Sequence, residues 1–168
     1  MAATFGVAAQ AATPPSRTLA SGSEIVVRQR LPVTPDSTWA FVQFGKVTTW
    51  SELSHWYPFC RFELVGRAEQ ERYVEPGSYR VIRAVGERRT TGLDMPGNEP
   101  RAVKVQGGGG APDIVFRSHF ELDSTAHPEL KRLSCEEKFV MMDTEADFVS
   151  LEKIRKALGE LADVRPAE

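Results

Sequence analysis

One stretch of this chain has a helical period and cannot bury its apolar side alone. From Thr144 to about Ala162, residues Phe148, Leu151, Ile154, Leu158 and Leu161 recur at spacings of three and four, on one face of an α-helix. Ser150, Glu152, Lys153, Lys156 and Glu160 fall on the opposite face. Asp143 or Thr144 can cap the start, because a side-chain oxygen there accepts a free N–H of the first turn. Glu145 and Asp147 suit the positive end of the helix dipole, and Pro166 lies just past the C-terminus. Such a helix needs a partner surface, and the preceding chain reads mostly as strand. The expectation is a long helix lying across a sheet.

Ile25, Val27, Gln29 and Leu31 alternate with Val26, Arg28 and Arg30, which marks a first strand. Thr34-Pro35-Asp36 is a helix-start signal, with Pro35 suited to the first helical position. Trp39 to Phe44 continues a short helix that Gly45 can end, and a second helical piece runs from Thr48 to Trp56 before Pro58. Six further strands follow: Phe62 to Ala68, Ser78 to Val85, Glu87 to Leu93, Ala102 to Gln106, Asp113 to Leu122 and Leu130 to Met142. Glu75-Pro76-Gly77 and Met95-Pro96-Gly97-Asn98 make turns among them. Runs of strands without alternating helices favour an antiparallel sheet in an α+β fold. The predicted architecture is a seven-stranded curved antiparallel sheet wrapped around a long C-terminal helix, with two short helices between strands 1 and 2.

The chain has 168 residues, enough for one domain with a sizeable core. Residues 1–23 are rich in Ala, Ser and Thr, with Arg17 as the one charged side chain. They read as a flexible tail, or as an organellar transit segment, ahead of a domain spanning 24–168. A formal net charge of -2 gives no electrostatic reason to expect nucleic acid or an acidic membrane as partner. No apolar run approaches the roughly 20 residues that span a bilayer. Cys60 and Cys135 cannot build a disulfide framework, so a reducing, cytoplasmic setting is the simpler expectation, with a single disulfide left open.

A sheet of this size is not filled by one helix face and a short insert, so an internal cavity is expected, mostly apolar with a few placed polar groups. In this the sequence resembles the START-like helix-grip superfamily: pollen-allergen-type proteins, abscisic acid receptors, major-latex-like proteins and bacterial polyketide cyclases. The residues that carry the likeness are Trp39-Ala40-Phe41-Val42, Gly77-Ser78-Tyr79-Arg80-Val81, Glu87 and Leu93-Asp94. The final stretch, Glu137 to Asp143 running into Leu158-Gly159-Glu160-Leu161-Ala162, looks most like the receptor branch. The likeness covers roughly Glu24 to Val164. The sequence departs from the receptors where it matters to them. Val85-Gly86 leaves no room for their gate loop, Gly107 to Pro112 replaces their latch, and Tyr57 stands where their hormone-pairing lysine would fall. Hormone-gated phosphatase inhibition is not expected.

Strand alternation indicates which side chains line the cavity. In the last strand Leu133, Cys135, Glu137, Phe139 and Met141 share the more apolar face. In the strand before it, Ile114, Phe116, Ser118, Phe120 and Leu122 face in, leaving Arg117, His119 and Glu121 to solvent. Phe62 faces in from the second strand, and Ile154 and Leu158 come from the helix. The resemblance implies that Ser78, Arg80, Ile82 and Ala84 face inward in the third strand, and that Glu87 is an inward carboxylate. Two carboxylates and one arginine leave one acid unpaired, which could be protonated near neutral pH and act as a general acid or base. Glu137, among the more apolar neighbours, is the first choice, with Glu87 and Tyr57 as further proton-transfer candidates.

Two functions follow. The protein binds a small hydrophobic molecule of polyketide, lipid, sterol or isoprenoid type, as monomer or homodimer and without a cofactor, with Arg80 pairing a polar head group. Alternatively it is a polyketide cyclase/dehydratase-like enzyme in which Arg80 steadies a developing enolate. No metal is expected, because His55, His119, His127, Cys60 and Cys135 lack ligand spacing. The Gly107 to Gly110 run lacks the Lys-Ser/Thr of a phosphate loop and reads as a hairpin connection or entrance flap.

Overall fold

The structure is a computed structural model that describes residues 18–90, 113–123, 125–140 and 147–167. Among these lie ten strands: β1 Glu24–Val27, β2 Leu31–Val33, β3 Trp39–Gln43, β4 Lys46–Thr48, β5 Phe59–Leu64, β6 Arg72–Val74, β7 Gly77–Thr90, β8 Asp113–Leu122, β9 Leu130–Val140 and β10 Ala162–Arg165. A single 3-10 turn, Trp50–Glu52, and one helix, α1 Leu151–Leu158, complete the described elements. Eight strands form one curled sheet in the order β10-β1-β7-β8-β9-β5-β3-β4, antiparallel throughout, and β2 pairs with β6 beside it. The α+β class with a curved antiparallel sheet and one C-terminal helix is as expected. The strand count is not, and the predicted strand at Ala102 to Gln106 lies outside the described residues.

The expected pair of short helices is a hairpin instead. Along β3, Ala40 and Val42 enter the main core while Trp39, Phe41 and Gln43 point to the other face, a period of two. Phe44 and Gly45 both take left-handed φ, 53° and 72°, the two-residue turn whose twist matches a hairpin. Thr34-Pro35-Asp36 is a β-turn, with Asp36 at φ 59° and the Ser37 N–H donating to the Thr34 carbonyl at 3.1 Å. Proline at the second turn position reads like a helix start because both need the same fixed φ. The predicted helix from Thr48 is one turn, closed by a reciprocal cap between Thr49 and Glu52.

The C-terminal helix is also shorter than predicted. Ser150 caps it by accepting the Lys153 N–H at 3.3 Å, so Phe148 lies ahead of the helix. Gly159 ends it at φ 56°, and a Cβ there would stand 2.4 Å from the Gly45 Cα. Backbone contact between hairpin tip and helix end therefore requires glycine on the helix side. Beyond it, Ala162–Arg165 forms β10 and pairs with the edge strand β1, a use of Leu161 to Arg165 that helical spacing had hidden.

The two strands expected on either side of Val85-Gly86 are one continuous strand, β7, with a register shift between Val81 and Arg83. A bulge reverses which residues face the core. Tyr79 and Val81 are buried before it, whereas after it Ala84 and Gly86, both solvent-exposed, share the face of their partners Phe120 and Ser118. The tail boundary at residue 23 also moves, since Leu19 is buried and the Gly22 N–H donates to the Val81 carbonyl at 2.7 Å.

Ile154, Ala157 and Leu158 of α1 pack against Ile25, Val42, Phe62, Phe120 and Leu133 in one continuous core. Inside it Cys60 and Cys135, opposite each other on β5 and β9, form a disulfide. The pairing answers the question the sequence left open.

Candidate functional site

The core face of the sheet changes character along its length. Phe62, Cys135, Ile154 and Leu158 lie in its solid apolar part, fully buried, and Cys135 has no free thiol. Toward the ends of β8 and β9 aromatic rings take over. The Phe116 ring meets Phe139 at 5.9 Å and Phe148 at 5.2 Å, edge-on in both cases. Phe148 rests on the backbone of Gly86, where an added Cβ would lie 2.7 Å from its ring. Gly86 is opposite Ser118, and Ser118 is opposite Cys135. The Ser118 side chain therefore shares this floor, with 2% of its surface exposed and no hydrogen-bond partner for its hydroxyl.

Glu137 is buried beside these rings, on the face assigned to it from the sequence. It is not the unpaired acid expected there. Lys153 of α1 places its Nζ at 2.6 Å from Glu137 Oε2 and 5.2 Å from the Phe139 ring.

The other predicted site residues are elsewhere. Arg80 is exposed and Ile82 is 53% exposed, because Tyr79 and Val81 take the core side ahead of the bulge, so the inward placement implied by the resemblance does not hold. Glu87 follows the bulge and lies on the outer face, against Arg89, Arg117 and His119. Tyr57 is 54% exposed in the loop before β5, its ring edge-on to Phe44 at 5.5 Å. Phe116, Ser118, Phe139 and Glu137 thus come together, with Gly86, Phe148 and Lys153 as residues the sequence did not single out. Phe148 was absorbed into the helix stripe, and Lys153 looked like a solvated residue of the opposite face.

The outer face carries an extended ladder of charge. Glu63, Arg132, Glu121 and Arg83 align across β5, β9, β8 and β7, and Glu136, Arg117 and Glu87 form a second row. Glu136 is 1% exposed, hydrogen-bonded to Arg117 and ion-paired with Arg61 at 3.6 Å. Burial pushes the Arg61 guanidinium down to about 10 while Glu136 holds it up, so it remains charged at neutral pH. The segment after the 3-10 turn covers this row. His55 stacks on Trp50 at 4.6 Å and on Phe59 at 5.5 Å, and its carbonyl accepts the Lys138 N–H at 3.0 Å. Arg117 and His119 were expected in solvent because their cover was read as helices. Their parity was right.

Within this ladder Ser134 Oγ lies 2.8 Å from His119 Nδ1, and His119 Nε2 lies 3.3 Å from Glu87 Oε2. The chain has the connectivity of a nucleophile, base and orienting acid. Ser134, however, is 1% exposed and no substrate carbonyl reaches it. It is a structural hydrogen-bond chain with a pH signature. Burial, with Arg132 and Arg117, pushes His119 below the ordinary histidine value against the pull of Glu87. The unfolded chain then binds the proton first, so stability falls as pH drops below about 6.5 and levels off below the folded value. His119→Gln should flatten that part of a plot of Tm against pH. An unchanged slope from pH 7 to 5 in the variant would remove His119 as its source.

A surface groove of about 300 Å3 beside β6 is lined by Arg30, Arg72, Tyr73, Tyr79 and His127 among others. The terminal nitrogens of Arg72 donate to the carbonyls of Ser37, Val65 and Gly66, and Arg30 lies 3.8 Å from the Tyr73 ring centroid while paired with Glu75. These groups brace the groove. Among the described residues no helix is long and apolar enough to cross a membrane, and no cluster of His, Cys, Asp and Glu could hold a metal ion. Compared with known proteins, the chain matches no family model, no curated protein and no solved structure.

Proposed function

We propose that this protein binds and carries a small apolar molecule with one polar group, at the aromatic end of the sheet–helix interface. The observation that carries the proposal is the Ser118 hydroxyl, buried without a partner beneath Phe148 on the Gly86 floor. Leaving a buried hydroxyl unsatisfied costs about 1–3 kcal/mol, which a ligand acceptor would recover. Phe148 precedes the helix cap and can swing off a floor that has no side chain, so it serves as the plug. Phe116 and Phe139 wall the site, and the Glu137–Lys153 pair sits at its rim to meet a polar head group.

The curled antiparallel sheet closed by one helix is compatible with the helix-grip expectation and with this use of the interface. Binding is favoured over a cyclase or dehydratase reaction. Glu137 is paired with Lys153, Glu87 faces the other side of the sheet and Tyr57 is on a distant loop, so the proton-transfer candidates do not converge. The Cys60–Cys135 disulfide fits an oxidising compartment better than the cytoplasm, where such bonds rarely persist.

Native mass spectrometry of the freshly purified full chain should show a small bound compound lost on denaturation. In parallel, anilinonaphthalene sulfonate should bind saturably, one per chain, and Ser118→Leu should weaken it at least about tenfold by filling the floor. Binding that is unchanged in a Ser118→Leu variant of normal Tm would sink this site.

A further inference from the structure

On the outer face, between the β3–β4 hairpin and the chain around Pro32 and Ser37, lies an open trough of about 350 Å3. Trp39, Phe41 and Trp50 line it. The Phe41 ring centroid is 6.3 Å from that of Trp39 and 5.7 Å from that of Trp50, with interplanar angles of 45° and 56°. Successive rings along the trough are therefore tilted against one another instead of stacked flat, with Phe41 between the two indoles. Ala40 and Val42, their neighbours on β3, point to the main core, so this trough is on the opposite side of the sheet from Ser118 and Phe148.

Charge selects the occupant. Glu52 is the one charged side chain in the described lining. Its carboxylate accepts from Thr49 Oγ1 at 2.9 Å, the Thr49 N–H at 3.2 Å and Thr48 Oγ1 at 3.3 Å. These bonds hold it below the ordinary glutamate value, and among the described residues no lysine or arginine pairs with it. Aromatic faces attract cations through their quadrupole, most strongly when the cation is poorly hydrated. A primary ammonium would forfeit strong hydration to enter a wall with few acceptors, whereas alkyl groups on nitrogen gain from apolar contact. The Trp39 indole N–H is buried without an acceptor, so a ligand oxygen next to the cation would satisfy it once the ring turns that edge toward the trough.

We propose that the Trp39–Phe41–Trp50 trough is a binding site for a methylated ammonium compound that carries an oxygen acceptor. The aromatic rings surround the cationic head, Glu52 supplies the countercharge and the Trp39 indole donates to the oxygen.

The test uses the full chain, choline as probe and its uncharged carbon isostere, a neohexyl alcohol, as control. Trp39 and Trp50 are two of the three tryptophans, so indole fluorescence reports occupancy directly. Choline should change it saturably, and the neohexyl alcohol should bind roughly tenfold or more weakly. Isothermal titration should show similar weakening of choline in Phe41→Leu and Glu52→Gln, and a smaller loss in Trp39→Phe, which keeps a ring but not the donor. Melting curves confirm that each variant is folded, and Trp39→Phe keeps the test alive if Phe41→Leu is not. No saturable choline response, equal binding of the two probes, or choline affinity unmoved by every folded variant overturns the proposal. Choline that leaves anilinonaphthalene sulfonate binding unchanged shows that the two sites stand or fall separately.

Discussion

Loss of the Cys60–Cys135 bond should cost this chain several kcal/mol of stability. The two cysteines are 75 residues apart in sequence and bridge β5 to β9 at the middle of the sheet. A crosslink of that span removes loop-closure entropy from the unfolded chain worth about 4.5 kcal/mol in the chain-entropy account. For a domain of this size that corresponds to a fall in Tm on the order of 10 °C. Both sulfurs are buried in the core, so paired replacement by alanine adds a small packing loss and gives the cleaner measurement. Thermal unfolding of Cys60→Ala/Cys135→Ala against the oxidised protein reads the difference, and reductant should lower the Tm of the natural chain by a similar amount and leave the variant unmoved. Free thiols in unfolded, unreduced protein would refute the bond itself.

Glu136→Gln should cost about 3–5 kcal/mol, although the shape of the side chain barely changes. The carboxylate is the buried countercharge for Arg61 and Arg117, and its removal leaves two guanidinium groups in a nearly dry site. Glu87, 3.7 Å from Arg117, offers only partial relief. The network is not well satisfied even when intact, because Glu136 Oε1 and Arg61 Nε have no hydrogen-bond partners. Replacing Arg61, Arg117 and Glu136 together by Met, Met and Leu should therefore recover most or all of the loss. Urea denaturation of the single and triple variants compares the two. A loss below about 1 kcal/mol for Glu136→Gln would mean that water reaches the row and that the aromatic cover is open.

The residues differ in how legible their fates were. The pattern in β8 and β9 needed only alternation, and it placed Phe116, Ser118, Glu137 and Phe139 on the core face. In β7 the inward placement of Arg80 and Glu87 that the resemblance implied does not hold: Tyr79 and Val81 take the core side, and after one inserted residue near Ile82 the sides reverse and Glu87 faces out. Nothing in Arg80-Val81-Ile82-Arg83 marks that bulge, which depends on the register taken up by β8. From the sequence Trp39 to Phe44 continues a helix, because Thr34-Pro35-Asp36 imitates a helix start. Its strand state is settled by pairing with β5 and by a Phe44-Gly45 turn held against Gly159. Phe44 is a bulky residue in a left-handed turn, a choice that local preference argues against and tertiary contact must impose.

By itself the sequence determined the class, a mostly antiparallel sheet with one C-terminal amphipathic helix, because periodicity is a property of each segment alone. It also determined which side of β8 and β9 is apolar. Only the tertiary structure decided that Cys60 meets Cys135, that Lys153 pairs with Glu137, that Arg61, Arg117 and Glu136 are buried on the outer face, and that Trp39, Phe41 and Trp50 line a trough. Each of these joins residues distant in the chain, and their meeting is fixed by strand register and by what covers the sheet. No local spacing encodes either.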